Sequence, residues 1–182
     1  MVATLAVVLV TMLAVEAPAA EAASKCRNKT AAPESISTAK AERSVFCLLN
    51  KERAKQGLPK LDRQGELDRA SIDHSQLMVN RDCFAHDCPG EPNLFERLVG
   101  AGYLTGLGNL LRWGYGENIA WGSGELGTPK SIVKAWMNSE GHRANILSRE
   151  FEQIGVGLAW GSPTNTSFPA ATYTTDFGFR NG

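Results

Sequence analysis

The chain has 182 residues, of which 43% are apolar and 21% charged; that mix suits one buried core and excludes a disordered chain. Nineteen Lys and Arg balance nineteen Asp and Glu. Without net charge the chain has no bulk attraction for polyanions or anionic lipid, so no nucleic-acid partner is expected.

Thr4 to Val15 is an apolar run interrupted only by threonines. It is shorter than the roughly 20 residues needed to span a bilayer and has the length of a secretory h-region. Residues 1–22 are read as a signal peptide, with Ala17-Pro18-Ala19 and Ala20-Glu21-Ala22 as cleavage sites, although no Lys or Arg precedes Thr4. A secreted, extracellular protein without stable membrane insertion after cleavage is expected. Residues 23–40 read as a flexible lead-in, and residues 41–180 as one domain.

Ser37 to Gln56 has helical spacing, with Val45, Leu48, Leu49 and Glu52 on one face and Gly57 as the stop. Leu58-Pro59-Lys60-Leu61 reads as an extended link. Glu66 to Asn80 is a second helix carrying Leu67, Ala70, Ser71, His74, Leu77 and Met78 on one face. Asn93 to Ala101 is a short third helix. Thr128 and Pro129 form an N-cap and first helical position ahead of Ile132, Val133, Ala135 and Trp136. Gly141 is expected to break that helix, with another turn over Ala144 to Leu147. Strands are expected at Gly116–Trp121, Gln153–Gly161 and Ala170–Phe179. Helices first and strands last indicate an α+β fold with an antiparallel sheet.

In an exported chain, Cys26, Cys47, Cys83 and Cys88 default to disulfides, with three pairings open. Cys83 and Cys88 are close enough to close a small loop, which leaves Cys26–Cys47. Such a loop carries His86 at its middle and restricts it before any ligand arrives. Two thiols beside His86 also fit a zinc site, but export favours their oxidation.

The chain has three histidines, His74, His86 and His142. His74 reads as a hydrogen-bonded, semi-buried histidine on the apolar face of the second helix. His86 lies between Cys83 and Cys88, and His142 follows Gly141. Glu117, in Gly116-Glu117-Asn118-Ile119-Ala120, can orient an imidazole or bind a cation. Ser139 stands three residues before His142, so a Ser139–His142 hydrolase is conceivable; Ser139 also reads simply as a helix-end residue. Arg143 is placed to pair with an acid or cap a helix end. Trp113, Trp121, Trp136 and Trp160 suggest carbohydrate stacking or, more plainly, core packing.

Several stretches together resemble the CAP superfamily, the cysteine-rich secretory, antigen 5 and pathogenesis-related-1 group, in its compact bacterial form. They run from Phe46-Cys47-Leu48-Leu49-Asn50 and Phe84-Ala85-His86 to Gly116-Glu117-Asn118-Ile119-Ala120. Ala135-Trp136-Met137-Asn138-Ser139, Gly141-His142-Arg143-Ala144-Asn145-Ile146-Leu147 and Ile154-Gly155-Val156-Gly157 follow. The resemblance covers roughly residues 42–179. It implies a three-layer α-β-α sandwich with a central antiparallel sheet. It also implies a cleft of two histidines and acids, with His86, Glu117 and His142 in place and zinc or another divalent cation as the cofactor. His86 and His142, with Glu117 as a third candidate, are then the metal ligands. The second cleft acid of the family falls on Ser139, with Glu140 as the substitute one residue later. A small ligand such as a lipid or sterol, or an extracellular protein, is the expected partner. The leading role is ligand binding; the alternatives are a cleft-based metallohydrolase or protease, with Ser139 or Glu140 in the chemistry, and a structural or host-interaction module.

Overall fold

Helix α1, Thr38–Lys55, buries Ala41, Val45 and Leu49 at four-residue intervals, the periodicity of one helix face. It ends where Gly57 takes φ 65°, a left-handed conformation that costs glycine little. These are features of a computed structural model that describes residues 26–109, 111–164 and 166–181. The expected signal peptide lies outside them. Residues 26–37 make turns rather than a regular element. They are tied down by the Cys26–Cys47 disulfide and by Lys130 N–H donating to Lys29 O at 2.8 Å.

Strand β1 is a two-residue piece, Asp62–Arg63, that the extended link did not anticipate. Helix α2 spans Gly65–Asn80, and Glu66 and Asp68 in its first turn suit the positive end of the helix dipole. Helix α3, Leu94–Gly100, starts with a capping box in which Asn93 and Glu96 bond reciprocally. Strand β2 covers Arg112–Ser123, well beyond the expected segment. Helix α4, Pro129–Asn138, begins with the Thr128 side chain accepting from Ser131 N–H, as expected. Its break differs from expectation: Ser139 is extended (φ −98°, ψ 127°) and begins helix α5, Glu140–Leu147. Gly141 therefore sits inside α5. Strands β3, Gln153–Trp160, and β4, Ala170–Asn181, follow.

The sheet order is β1-β3-β4-β2. The β3–β4 and β4–β2 pairs are antiparallel and long. β1 pairs parallel with β3 at Asp62↔Gln153 and Arg63↔Ile154, so the antiparallel sheet carries one short parallel edge. Both faces are covered. Leu49, Trp136, Ile146, Val156, Tyr173 and Phe177 form the core under α1, α4 and α5. Leu67, Ala70, Leu98 and Tyr103 form a second cluster under α2 and α3. This is the expected α-β-α sandwich.

Helix α2 lies almost on the backbone of β3. A Cβ on Gly155 would overlap the Leu67 carbonyl group, and one on Gly157 would overlap that of Ser71. Two glycines at alternate strand positions thus let α2 settle close to the sheet. That approach sets Ser71 and His74 against the centre of β4 and β2.

Candidate functional site

Glu117 is the hub of a polar cluster between the α2–α3 layer and the sheet. It lies on β2, opposite Asp176 of β4 in the ladder, and its side chain is almost wholly buried. His86 Nδ1 lies 2.7 Å from its Oε1. Arg97, from α3, donates to its Oε2 at 2.5 Å. His74 Nε2 lies 3.8 Å from the same Oε2. Burial works to raise the Glu117 pKa, but the His86 hydrogen bond and the His74, Arg97 and His86 charges outweigh it and hold the group below its ordinary value. Ionised Glu117 only accepts, so His86 carries its proton on Nδ1 and Nε2 is left for a ligand.

The loop carrying His86 is held from three sides. The Cys83–Cys88 disulfide closes it. Arg97 donates to His86 O at 2.8 Å. Glu91, buried beside it, accepts from Cys88 N–H at 3.2 Å and bonds His74 Nδ1 at 2.7 Å. His74 is hydrogen-bonded in this network, as expected, but fully buried rather than semi-buried. The His86 side chain itself remains 56% exposed. Its pKa is raised, chiefly by the Glu117 hydrogen bond.

Asp176 is buried at the floor of the cluster. Ser71 Oγ donates to its Oδ2 at 2.8 Å. Burial first, and then the Glu117 charge, raises its pKa well above the carboxylate range. Two carboxyls facing each other across one ladder cannot both ionise cheaply, and the surroundings favour the charge on Glu117 and the proton on Asp176.

His142 reaches the same region from the other face of the sheet. Asn118 donates to His142 O at 3.0 Å, and Asn145 donates to Glu117 O at 3.1 Å, docking α5 on β2. β2 is an edge strand, so loop 83–88 and the α5 N-terminus converge around that edge. Burial, and secondarily the His86 charge, lower the His142 pKa. His86 and His142 are therefore within electrostatic reach of each other. The Ser139 side chain makes no capping bond, and Glu140 is exposed at the start of α5. Arg143 reaches Met137 O in the last turn of α4, the helix-end role.

A centre with Glu117 as third protein ligand does not fit, because both its oxygens are engaged by His86 and Arg97. Among the described residues no group of three or more His, Cys, Asp and Glu side chains is arranged to hold a metal ion. Trp113 and Tyr115 precede Glu117 at alternate positions of β2. Their rings are parallel within 3°, and Phe95 packs against both at 5.8 and 6.2 Å. Trp113 is 40% exposed whereas Trp136 is 1%, so Trp113 keeps an open aromatic surface on the strand that carries Glu117.

Two residues of the cluster, Glu91 and Asp176, were not singled out from the sequence, and Arg97 belonged to the family resemblance without a role in the site. Arg97 stands on an exposed-looking helix turn. Glu91 sits between glycine and proline in a loop. Asp176 did carry a signal, a lone acid in an otherwise apolar and threonine-rich strand.

Residues 46–175 match the CAP, cysteine-rich secretory protein, family model. The chain belongs to this family. The CAP relatives include the uncharacterized protein YkwD of Bacillus subtilis, 42% identical over 137 residues, which are 74% of this chain and 48% of that protein. The chain thus spans about half the length of this relative. An extracellular protein containing an SCP domain from Bacillus anthracis is similar in structure, with TM-score 0.58 and 27% identity, covering 78% of this chain and 43% of that one. An outer surface protein of Borrelia burgdorferi shares the fold, with TM-score 0.64 and 16% identity over 80% of this chain and 97% of that one. Among the described residues no helix is long and apolar enough to cross a membrane.

Proposed function

We propose that this CAP domain is an exported binding module whose cleft takes a small ligand or divalent cation through His86 and His142 without turning it over. One observation carries the reading: Glu117 engages His86 at Nδ1 and so presents Nε2 at a half-exposed position. A carboxylate behind a ligating imidazole fixes its tautomer and raises its basicity. The two disulfides and the extracellular SCP-domain relative support export. The aromatic surface of Trp113 and Tyr115 supplies an apolar wall for an organic ligand.

A hydrolase needs a nucleophile within reach of its base. Ser139 has no hydrogen bond to His142, and Glu117 is locked between a histidine and an arginine.

Calorimetry with zinc tests the proposal. Binding is expected in the wild type, lost in His142→Ala and weakened about tenfold or more in Glu117→Gln, the usual effect of an outer-shell carboxylate. Peptide or ester hydrolysis abolished by His142→Ala would replace this reading with the hydrolase. Absence of zinc binding, with a fold unchanged in His142→Ala, would leave a structural network.

A further inference from the structure

The neutral net charge conceals a segregated charge distribution. Of the eight lysines in the chain, five line one groove of about 350 Å³ between α1 and α4: Lys29, Lys51, Lys55, Lys130 and Lys134. All five are exposed. Glu52 is the one carboxylate among the lining residues, and Lys55 Nζ holds it at 2.7 and 2.8 Å. The lining therefore sets five ammonium groups against one carboxylate. Screening confines such interactions to about 8 Å at physiological salt. A ligand in the groove thus meets this local excess and not the zero sum of the chain.

We infer that the α1–α4 groove binds a linear phosphate polymer. Lys51 and Lys55 stand four residues apart on α1, and Lys130 and Lys134 four apart on α4. Each pair is separated by about 6 Å along its helix axis. The groove is thus walled by two short cationic rows, an arrangement suited to a run of anionic groups. Of the remaining lining side chains, Leu48, Val133 and Met137 carry no oxygen acceptor, and Asn138 carries only a neutral amide oxygen. The cations are all lysine, although arginine is the commoner basic residue in this chain. Lysine is a hydrated point charge that holds phosphate without a fixed fork geometry, whereas arginine favours planar bidentate pairing. That preference matches a flexible chain of phosphates better than one rigidly placed anion. The groove lies on the face of the sheet opposite the Glu117–Asp176 cluster, so this site stands or falls independently of the histidine cleft.

The test uses the purified protein and fluorescently labelled, medium-chain inorganic polyphosphate, followed by anisotropy. Saturable binding is expected, at least tenfold tighter than competing orthophosphate. It should fall about a hundredfold between 50 and 200 mM salt if about four phosphates are neutralised. The exposed double substitution Lys51→Glu/Lys134→Glu should weaken binding at least tenfold. Lys40→Glu/Lys60→Glu makes the same change in net charge outside the groove and should alter affinity less than twofold. Circular dichroism and melting establish that both variants fold. Equal weakening by the two variants, no binding by the wild type, or tighter binding to phosphatidylglycerol vesicles at matched phosphate would each overturn the inference.

Discussion

Glu117 and Asp176 face each other across the β2–β4 ladder, and their surroundings push their carboxyl pKa values in opposite directions. The His86 hydrogen bond and the His74, Arg97 and His86 charges lower that of Glu117 against its burial. Burial and the Glu117 charge raise that of Asp176. The pair turns a row of buried polar groups into a base that orients His86.

This difference sets a pH dependence. The Asp176 pKa is raised in the folded state. Its contribution is therefore fully present below the unfolded carboxyl value of about 3.9 and is lost as pH rises toward the folded value. Asp176→Asn keeps the shape and the Ser71 contact without the proton. The variant should melt at or above the wild-type temperature at pH 7, with a flatter dependence of melting temperature on pH above about 4. A lower melting temperature at pH 7 with an unchanged pH slope would contradict the neutral assignment.

Arg97 is the cation between two buried acids. It bonds Glu117 and approaches Glu91 at 3.6 Å. Arg97→Met should cost about 3–5 kcal/mol, the usual penalty for removing one partner of a buried ion pair. Urea denaturation reads this directly. A loss below about 1 kcal/mol, the range of exposed pairs, would mean that solvent screens the cluster.

The disulfides should separate in effect. Their sequence separations are 21 and 5, so loop entropy gives about 3 kcal/mol for Cys26–Cys47 and about 2 kcal/mol for Cys83–Cys88. Cys83→Ser/Cys88→Ser should be the milder change in global stability but the larger one in the His86 ring resonances. Unmoved His86 signals would show that Glu117 and Arg97 alone position the loop.

Gly157→Ala should destabilise by about 3 kcal/mol or more, because the added Cβ meets helix backbone rather than a side chain that can move. A melting temperature within about two degrees of the wild type, well under what such a loss produces, would mean that α2 can lift from β3 without loss.

Much of this was legible in the residues. Helical spacing in α1 and α2, the Thr128–Pro129 start and the two late strands carry strong local signals, and each element so marked forms. The disulfide pairing followed from loop closure. The break at Ser139 was not legible, because glycine at 141 tolerates a helix as well as a turn. β1 was hidden because two residues carry no periodicity; their strand geometry comes from pairing with β3. His86 and Glu117 were found by motif, but what they do depends on Asp176 and Glu91. Those two acids are remote from Glu117 in sequence and join it only through strand pairing and the folded loop. Overall neutrality was a sound reading of the sum and a poor guide to any one face, since the lysines of α1 and α4 collect only when the helices pack together.

Glu117 holds His86 by Nδ1 and leaves Nε2 for a ligand. Nitrogen-detected NMR titration of His86 in the wild type and Glu117→Gln tests it most directly. A Nδ1–H tautomer and a pKa above the ordinary value of about 6.5 are expected in the wild type, with the pKa falling in the variant. An Nε2–H tautomer, or a His86 pKa that Glu117→Gln leaves unmoved, would contradict it.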